Sequence, residues 1–129
     1  MKGAKRATFA QCVDYILEEC DDAIAVFRSV NKDWAGNNFG RANDGVALSL
    51  KGKVLALAAS PLYNRPSDYP QYDSESQNKE LWRYSDYKKE RWNDAAKALK
   101  AVIDLGRYDL YKKTNGTKSA YETYFVTRN

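Results

Sequence analysis

No histidine occurs among the 129 residues, and the chain holds only two cysteines, three prolines and one methionine. The missing histidine removes His-based catalytic triads, His zinc sites and the commonest general base together. Cys12 and Cys20 fall on what reads as a single helix, about 12 Å apart at the helical rise per residue. That is too far for a mutual disulfide, so both are expected to act as small core hydrophobes. No apolar run approaches the roughly 20 residues of a membrane span, and Met1-Lys2-Gly3-Ala4-Lys5-Arg6 leads into an amphipathic segment instead of a signal-peptide core. Charge of a single sign is lacking too. The 21 Lys+Arg and 17 Asp+Glu give a net charge of +4, and they interleave, as in Lys88-Lys89-Glu90-Arg91. A nucleic-acid binder needs a basic stripe, and none is present.

What is present is a globular composition, 43% apolar, 13% aromatic and 29% charged, on the scale of one domain spanning residues 1–129. A chain of this length can build a core without metals or disulfides. Phe9, Cys12, Val13, Ile16, Leu17, Cys20, Ala23, Ile24 and Phe27 recur at helical spacing, and Thr8-Phe9-Ala10-Gln11 has the capping-box pattern, which predicts a helix over 9–29. Its opposite face, with Asp14, Glu18, Glu19, Asp21 and Asp22, reads as solvated. A turn-rich stretch follows, in which Trp34 is the one costly residue. It is either a lid over helix ends or an exposed platform for a ligand.

Asn43 can cap a second helix over 44–59, with Val46, Ala47, Leu50, Val54, Leu57 and Ala58 on its buried side, and Ser60-Pro61 stops it. Residues 62–86 are polar, contain proline and have no period, so they read as a long loop. Tyr72, Trp82 and Tyr84 on this loop, together with Trp34, are the candidate ligand-binding residues. Aromatic rings can stack on the C–H faces of sugars while Asn, Asp and Arg take the hydroxyls. The competing expectation is that the rings tuck the loop onto the helices. A third helix is predicted over 87–105, with Trp92, Ala95, Ala96, Leu99, Val102 and Ile103 on one face and Gly106 as its left-handed stop. Tyr121, Tyr124 and Phe125 mark a short fourth helix over 119–126. The expected fold is therefore all-α: antiparallel helical hairpins in a tetratricopeptide-like array, interrupted by one long loop, although the 34-residue period itself is absent.

Four ordered blocks carry a family resemblance. They are Arg6-Ala7-Thr8-Phe9 with the first helix; Gly40-Arg41-Ala42-Asn43-Asp44-Gly45-Val46-Ala47-Leu48 running into Ala58-Ala59-Ser60-Pro61-Leu62-Tyr63-Asn64; Arg91-Trp92-Asn93-Asp94-Ala95-Ala96; and Ala101-Val102-Ile103-Asp104-Leu105-Gly106-Arg107-Tyr108-Asp109-Leu110-Tyr111. In this order they resemble the RagB/SusD family. The resemblance implies a surface-exposed outer-membrane lipoprotein of Bacteroidetes that captures glycans or other nutrients and passes them to a TonB-dependent, SusC-like transporter. It implies a binding protein without a cofactor, not an enzyme. Family members run to several hundred residues and carry a lipoprotein signal and an acylated cysteine. Neither is found here, so the chain reads as an internal scaffold segment of such a protein, capable of self-association through uncovered faces. The matching blocks are packing motifs, with Trp92 and Ala95-Ala96 expected in the core, and no sugar-contact residue carries over.

Two other readings compete. A stand-alone helical module could bind a partner peptide in a groove. A carboxylate enzyme drawing on Asp68, Asp73, Glu75 and Glu80 would need two acids held about 5–9 Å apart, which a polar loop does not provide.

Overall fold

The computed structural model describes residues 5–30, 34, 36–38, 40–65, 78–114 and 116–126. Four α-helices appear in them, α1 (Phe9–Ser29), α2 (Asp44–Ala59), α3 (Arg91–Asp104) and α4 (Ala120–Val126), with single 3-10 turns at Gly36–Asn38 and Lys79–Leu81. The chain is all-α among the described residues. Tyr72, with Asp68, Asp73 and Glu75, lies outside them.

α1 begins where its sequence says it should. The Thr8 hydroxyl accepts from the Gln11 backbone N–H at 3.2 Å while the Gln11 side chain accepts from the Thr8 N–H at 2.9 Å, satisfying two of the amides a helix start leaves orphaned. α2 begins with Asn43 Oδ1 accepting from the Val46 N–H at 3.1 Å. It ends at Ser60, which is already extended ahead of Pro61.

α2 lies between α1 and α3 and packs on both. The direction of packing follows from the contacts. Arg28, near the end of α1, pairs with Asp44 at the start of α2, and Lys51 Nζ meets Asp21 at 2.5 Å one level down. Leu99 of α3 sits on Gly52, and Tyr108, just past α3, sits on Gly45. Neighbouring helices therefore run antiparallel. The core where they meet is built from Ile24, Ala47 and Leu48, with Ala23, Ala101, Val102 and Leu105 against it.

Small residues set how close α2 and α3 come. A Cβ on Gly52 would lie 2.6 Å from Leu99 Cδ2 and 3.3 Å from the Leu99 backbone nitrogen. The nearest atom could rotate aside, but the backbone cannot. Gly52→Ala is therefore expected to force the two helices apart and to cost about 2 kcal/mol net of its helix-propensity gain, read as a lower urea midpoint at unchanged slope.

The third helix starts at Arg91, not at 87. Ahead of it the Asn64 side chain holds the Lys88 backbone: Oδ1 accepts from the Lys88 N–H at 2.9 Å and Nδ2 donates to the Lys88 carbonyl at 2.8 Å, which also accepts from the Arg91 N–H at 3.4 Å. Asn64, placed by its sequence in a polar loop, is the most deeply buried large side chain among the described residues, at 1% exposure. Gly106 closes α3 with φ +65° as expected.

The apolar stripes are less covered than their periodicity predicts. Val46, Leu50 and Leu57 of α2 are about half exposed, as are Trp92 and Leu99 of α3, and Ile103 is 77% exposed. Ala95 is buried and Ala96 is exposed. In α1, Val13, Cys20 and Ile24 are buried while Cys12 faces solvent. Periodicity locates the stripe, whereas three helices in one layer can cover only part of it. α4 packs on none of the other helices. Its Tyr124 leans on Tyr111, with ring centroids 5.6 Å apart.

Candidate functional site

The ligand-binding candidates fall at opposite ends of the layer. Trp34 is half-buried near the start of α2, where its indole N–H donates to the Ala42 carbonyl at 2.6 Å and the Arg41 guanidinium lies 5.6 Å from its ring. These contacts anchor the ring at the entry to α2.

Trp82 and Tyr84 lie near the start of α1. The Tyr84 backbone N–H donates to the Tyr63 carbonyl at 3.0 Å, which ties the two ends of the long loop together. Phe9, the first residue of α1, stacks on Tyr63 (centroids 4.8 Å, planes 5° apart) and meets Tyr84 edge-on (5.1 Å, 89°). These three rings clamp the base of the loop onto α1. Trp82 is 37% exposed, with the Arg83 guanidinium 5.5 Å from its ring.

Tyr84 has a second neighbour that no spacing in the sequence announces. The Arg91 guanidinium carbon lies 3.5 Å from its ring centroid, a cation–π contact at close range. Arg91 is fixed in turn: Nη1 donates to Asn64 Oδ1 at 2.7 Å and to the Asp86 carbonyl at 2.8 Å, and Nη2 donates to Asp86 Oδ1 at 2.9 Å. One face of Tyr84 is thus occupied by a pinned guanidinium and cannot also stack on a sugar. Burial pushes the Tyr84 hydroxyl above its ordinary pKa, with Arg91 pulling back and the Asp14 charge adding to the rise. Hydrogen bonds from Arg91 and then Lys88 hold the Asp86 carboxyl below its ordinary value.

Arg91 and Asp86 line one wall of a cleft between α1 and α3, with a volume of about 470 Å³ and floored by α2. A second concavity, about 760 Å³ and mostly apolar, lies beside α4 among Tyr111, Tyr121, Tyr124 and Phe125. A third, about 340 Å³, lies between α2 and α3 over Leu48 and Leu55. No group of three or more acidic or cysteine side chains is placed to hold a metal ion among the described residues.

Opposite the Arg91 end, Asp44 joins three segments. It accepts from Arg107 in a short charged hydrogen bond and lies 3.8 Å from Arg28 Nε, with its own side chain only 12% exposed. The Arg107 hydrogen bond, opposed by burial, keeps the Asp44 carboxyl below its ordinary pKa. Tyr108 donates its hydroxyl to Asn43 Oδ1 at 3.2 Å on the same corner.

Compared with protein-family models, with curated proteins and with solved structures, the chain matches none. No described helix is long and apolar enough to cross a membrane.

Proposed function

We propose that the chain is the helical scaffold of a RagB/SusD-like cell-surface binding protein, which captures glycans or other nutrients and hands them to a TonB-dependent outer-membrane transporter. In this reading the antiparallel helices are units of a tetratricopeptide-like array and the protein performs no chemistry on its ligand. The observation that supports it most is how three of the four resembling sequence blocks meet. Asn43, Asp44 and Gly45 of one block touch Tyr108 and Arg107 of another, and Asn64 bonds Arg91 of a third. Residues that make the resemblance are thus the ones that join distant segments, as packing motifs should. The half-exposed apolar sides of α2 and α3 fit a scaffold on which further protein packs.

Those same open sides also suit a stand-alone module that docks an amphipathic partner helix. Location separates the two readings. Intact cells treated with a membrane-impermeant amine reagent are expected to yield labelled protein if it is displayed at the surface. Labelling only after lysis would reject the surface reading and favour an internal interaction module.

A further inference from the structure

The trough of about 760 Å³ beside α4 is lined by no residue of α1, α2 or α3 among the described residues. Its two walls come from different segments. Leu110 and Tyr111, past the end of α3, form one, and Tyr121, Tyr124 and Phe125 of α4 form the other. Tyr111 and Tyr124 join the walls with ring centroids 5.6 Å apart, while Phe125 meets Tyr124 edge-on at 5.2 Å and Tyr121 at 4.9 Å. The rings pack on each other, yet all five side chains remain 42–85% exposed.

The charge around this apolar body is one-sided. Asp109 is the acid in the lining, and it is already matched: Oδ1 accepts from the Leu110 N–H at 2.8 Å, and Oδ2 is paired with Lys112. Lys113 and Lys118 lie on the same 112–118 connection, where the chain turns from Tyr111 to Ser119 at one end of the trough. No ion pair reaches either of them among the described residues. Glu122 falls on the other side of α4 with Thr123 and Val126, because Ala120, Tyr121, Tyr124 and Phe125 fill the lining arc.

A ligand complementary to this arrangement has an apolar body and an anionic head. Ammonium groups only donate, so a carboxylate at that end would make charge-assisted hydrogen bonds, whereas a cationic amphiphile would be repelled. A flexible alkyl chain can follow rings inclined to one another by 56–90°, and the volume is within the range of small-molecule sites.

We propose that the α4 trough binds a long-chain carboxylate, with its alkyl chain along Tyr111, Tyr124 and Phe125 and its head at Lys113 and Lys118. The proposal is independent of the surface-scaffold reading.

The test is amide-resolved NMR titration of the whole chain with hexanoate, octanoate and decanoate below their micellar concentrations, alongside neutral decanol and the cation decyltrimethylammonium. The carboxylates are expected to shift amides of 109–112 and 119–125. Affinity should rise about twofold to fourfold per added methylene, the upper figure corresponding to full burial of the group. The Lys113→Gln, Lys118→Gln double variant should bind decanoate about fivefold more weakly and decanol unchanged. Phe125→Ser should weaken both, and because α4 packs on no other helix each variant should unfold at the parental urea concentration. Shifts that map elsewhere, affinity independent of chain length, equal binding by the double variant, or decyltrimethylammonium binding as tightly as decanoate would each overturn the proposal. Phosphatidylglycerol vesicles separate the two sources of such a ligand. Sedimentation of the chain with vesicles, with no response to monomeric decanoate, would make the patch a membrane contact and overturn the proposal as well.

Discussion

Replacing Asn64 with leucine is expected to destabilise the chain by about 3 kcal/mol, a large fraction of the roughly 5–15 kcal/mol that holds an ordinary domain together. Leucine has a similar volume, so the loss does not come from a cavity. It comes from stranded polar groups. The Lys88 N–H loses its acceptor, the Lys88 carbonyl keeps only the Arg91 backbone N–H at 3.4 Å, and Arg91 Nη1 loses the acceptor at 2.7 Å that helps hold it against Tyr84. Each group left unpaired where water reaches poorly costs about 1–3 kcal/mol. The Arg91 side chain, at 16% exposure, is the most confined of them. Urea denaturation reads the total. Hydrogen exchange reads the place, with faster exchange expected at 84–91 before the rest of α3 loosens. If Asn64→Leu unfolds at the parental urea concentration, the network does not hold the start of α3.

The second large effect is expected at Asp44. Its side chain is nearly enclosed and is bonded by Arg107, with Arg28 at 3.8 Å. Asp44→Asn removes the charge that compensates Arg107, and breaking a buried pair by one partner costs about 3–5 kcal/mol. Arg107 is 34% exposed and Arg28 58% exposed, so solvent screens part of the interaction and about 2 kcal/mol is the better expectation.

The sign of the pH dependence follows from the lowered pKa. A carboxylate held below its ordinary value of about 3.9 binds its proton more weakly folded than unfolded. It therefore contributes stability that is fully present above the unfolded value and is lost as pH falls through the folded one. Asp86 acts in the same direction. The parent chain should lose stability steeply below about pH 4. Asp44→Asn should be less stable at neutral pH but fall less on acidification, so the two curves converge at low pH. Parallel curves would mean that Asp44 does not titrate differently in the folded chain.

The helices were legible in the sequence because their signals are local. Thr8 with Gln11, Asn43 with Val46, Ser60-Pro61 and Gly106 each act within a few residues of the boundary they set. The start of α3 was not legible, because a side chain 24 positions earlier holds the Lys88 backbone ahead of it. Nothing in the local pattern records that. The fate of Trp92 and Ile103 was hidden for a related reason: helical spacing shows which residues share a stripe, while the number of neighbouring helices decides how much of it is covered.

At the candidate site, the sequence marked aromatic residues but not their occupancy. Tyr84 was identifiable as a loop-end ring, yet the guanidinium lying on it comes from α3. Asp14 reads as one charge among several on the outer face of α1. Only the antiparallel layer brings it opposite Arg91 and Asp94, which are roughly eighty positions away.

The central claim is that these helices are scaffold in a surface nutrient-uptake assembly. The most direct measurement is affinity recovery of the chain from detergent-solubilised membranes of its source cells, with mass spectrometry of what accompanies it. The account predicts a large outer-membrane β-barrel transporter in stable proportion to the chain. Recovery with a soluble cytoplasmic protein, and no transporter, would contradict it.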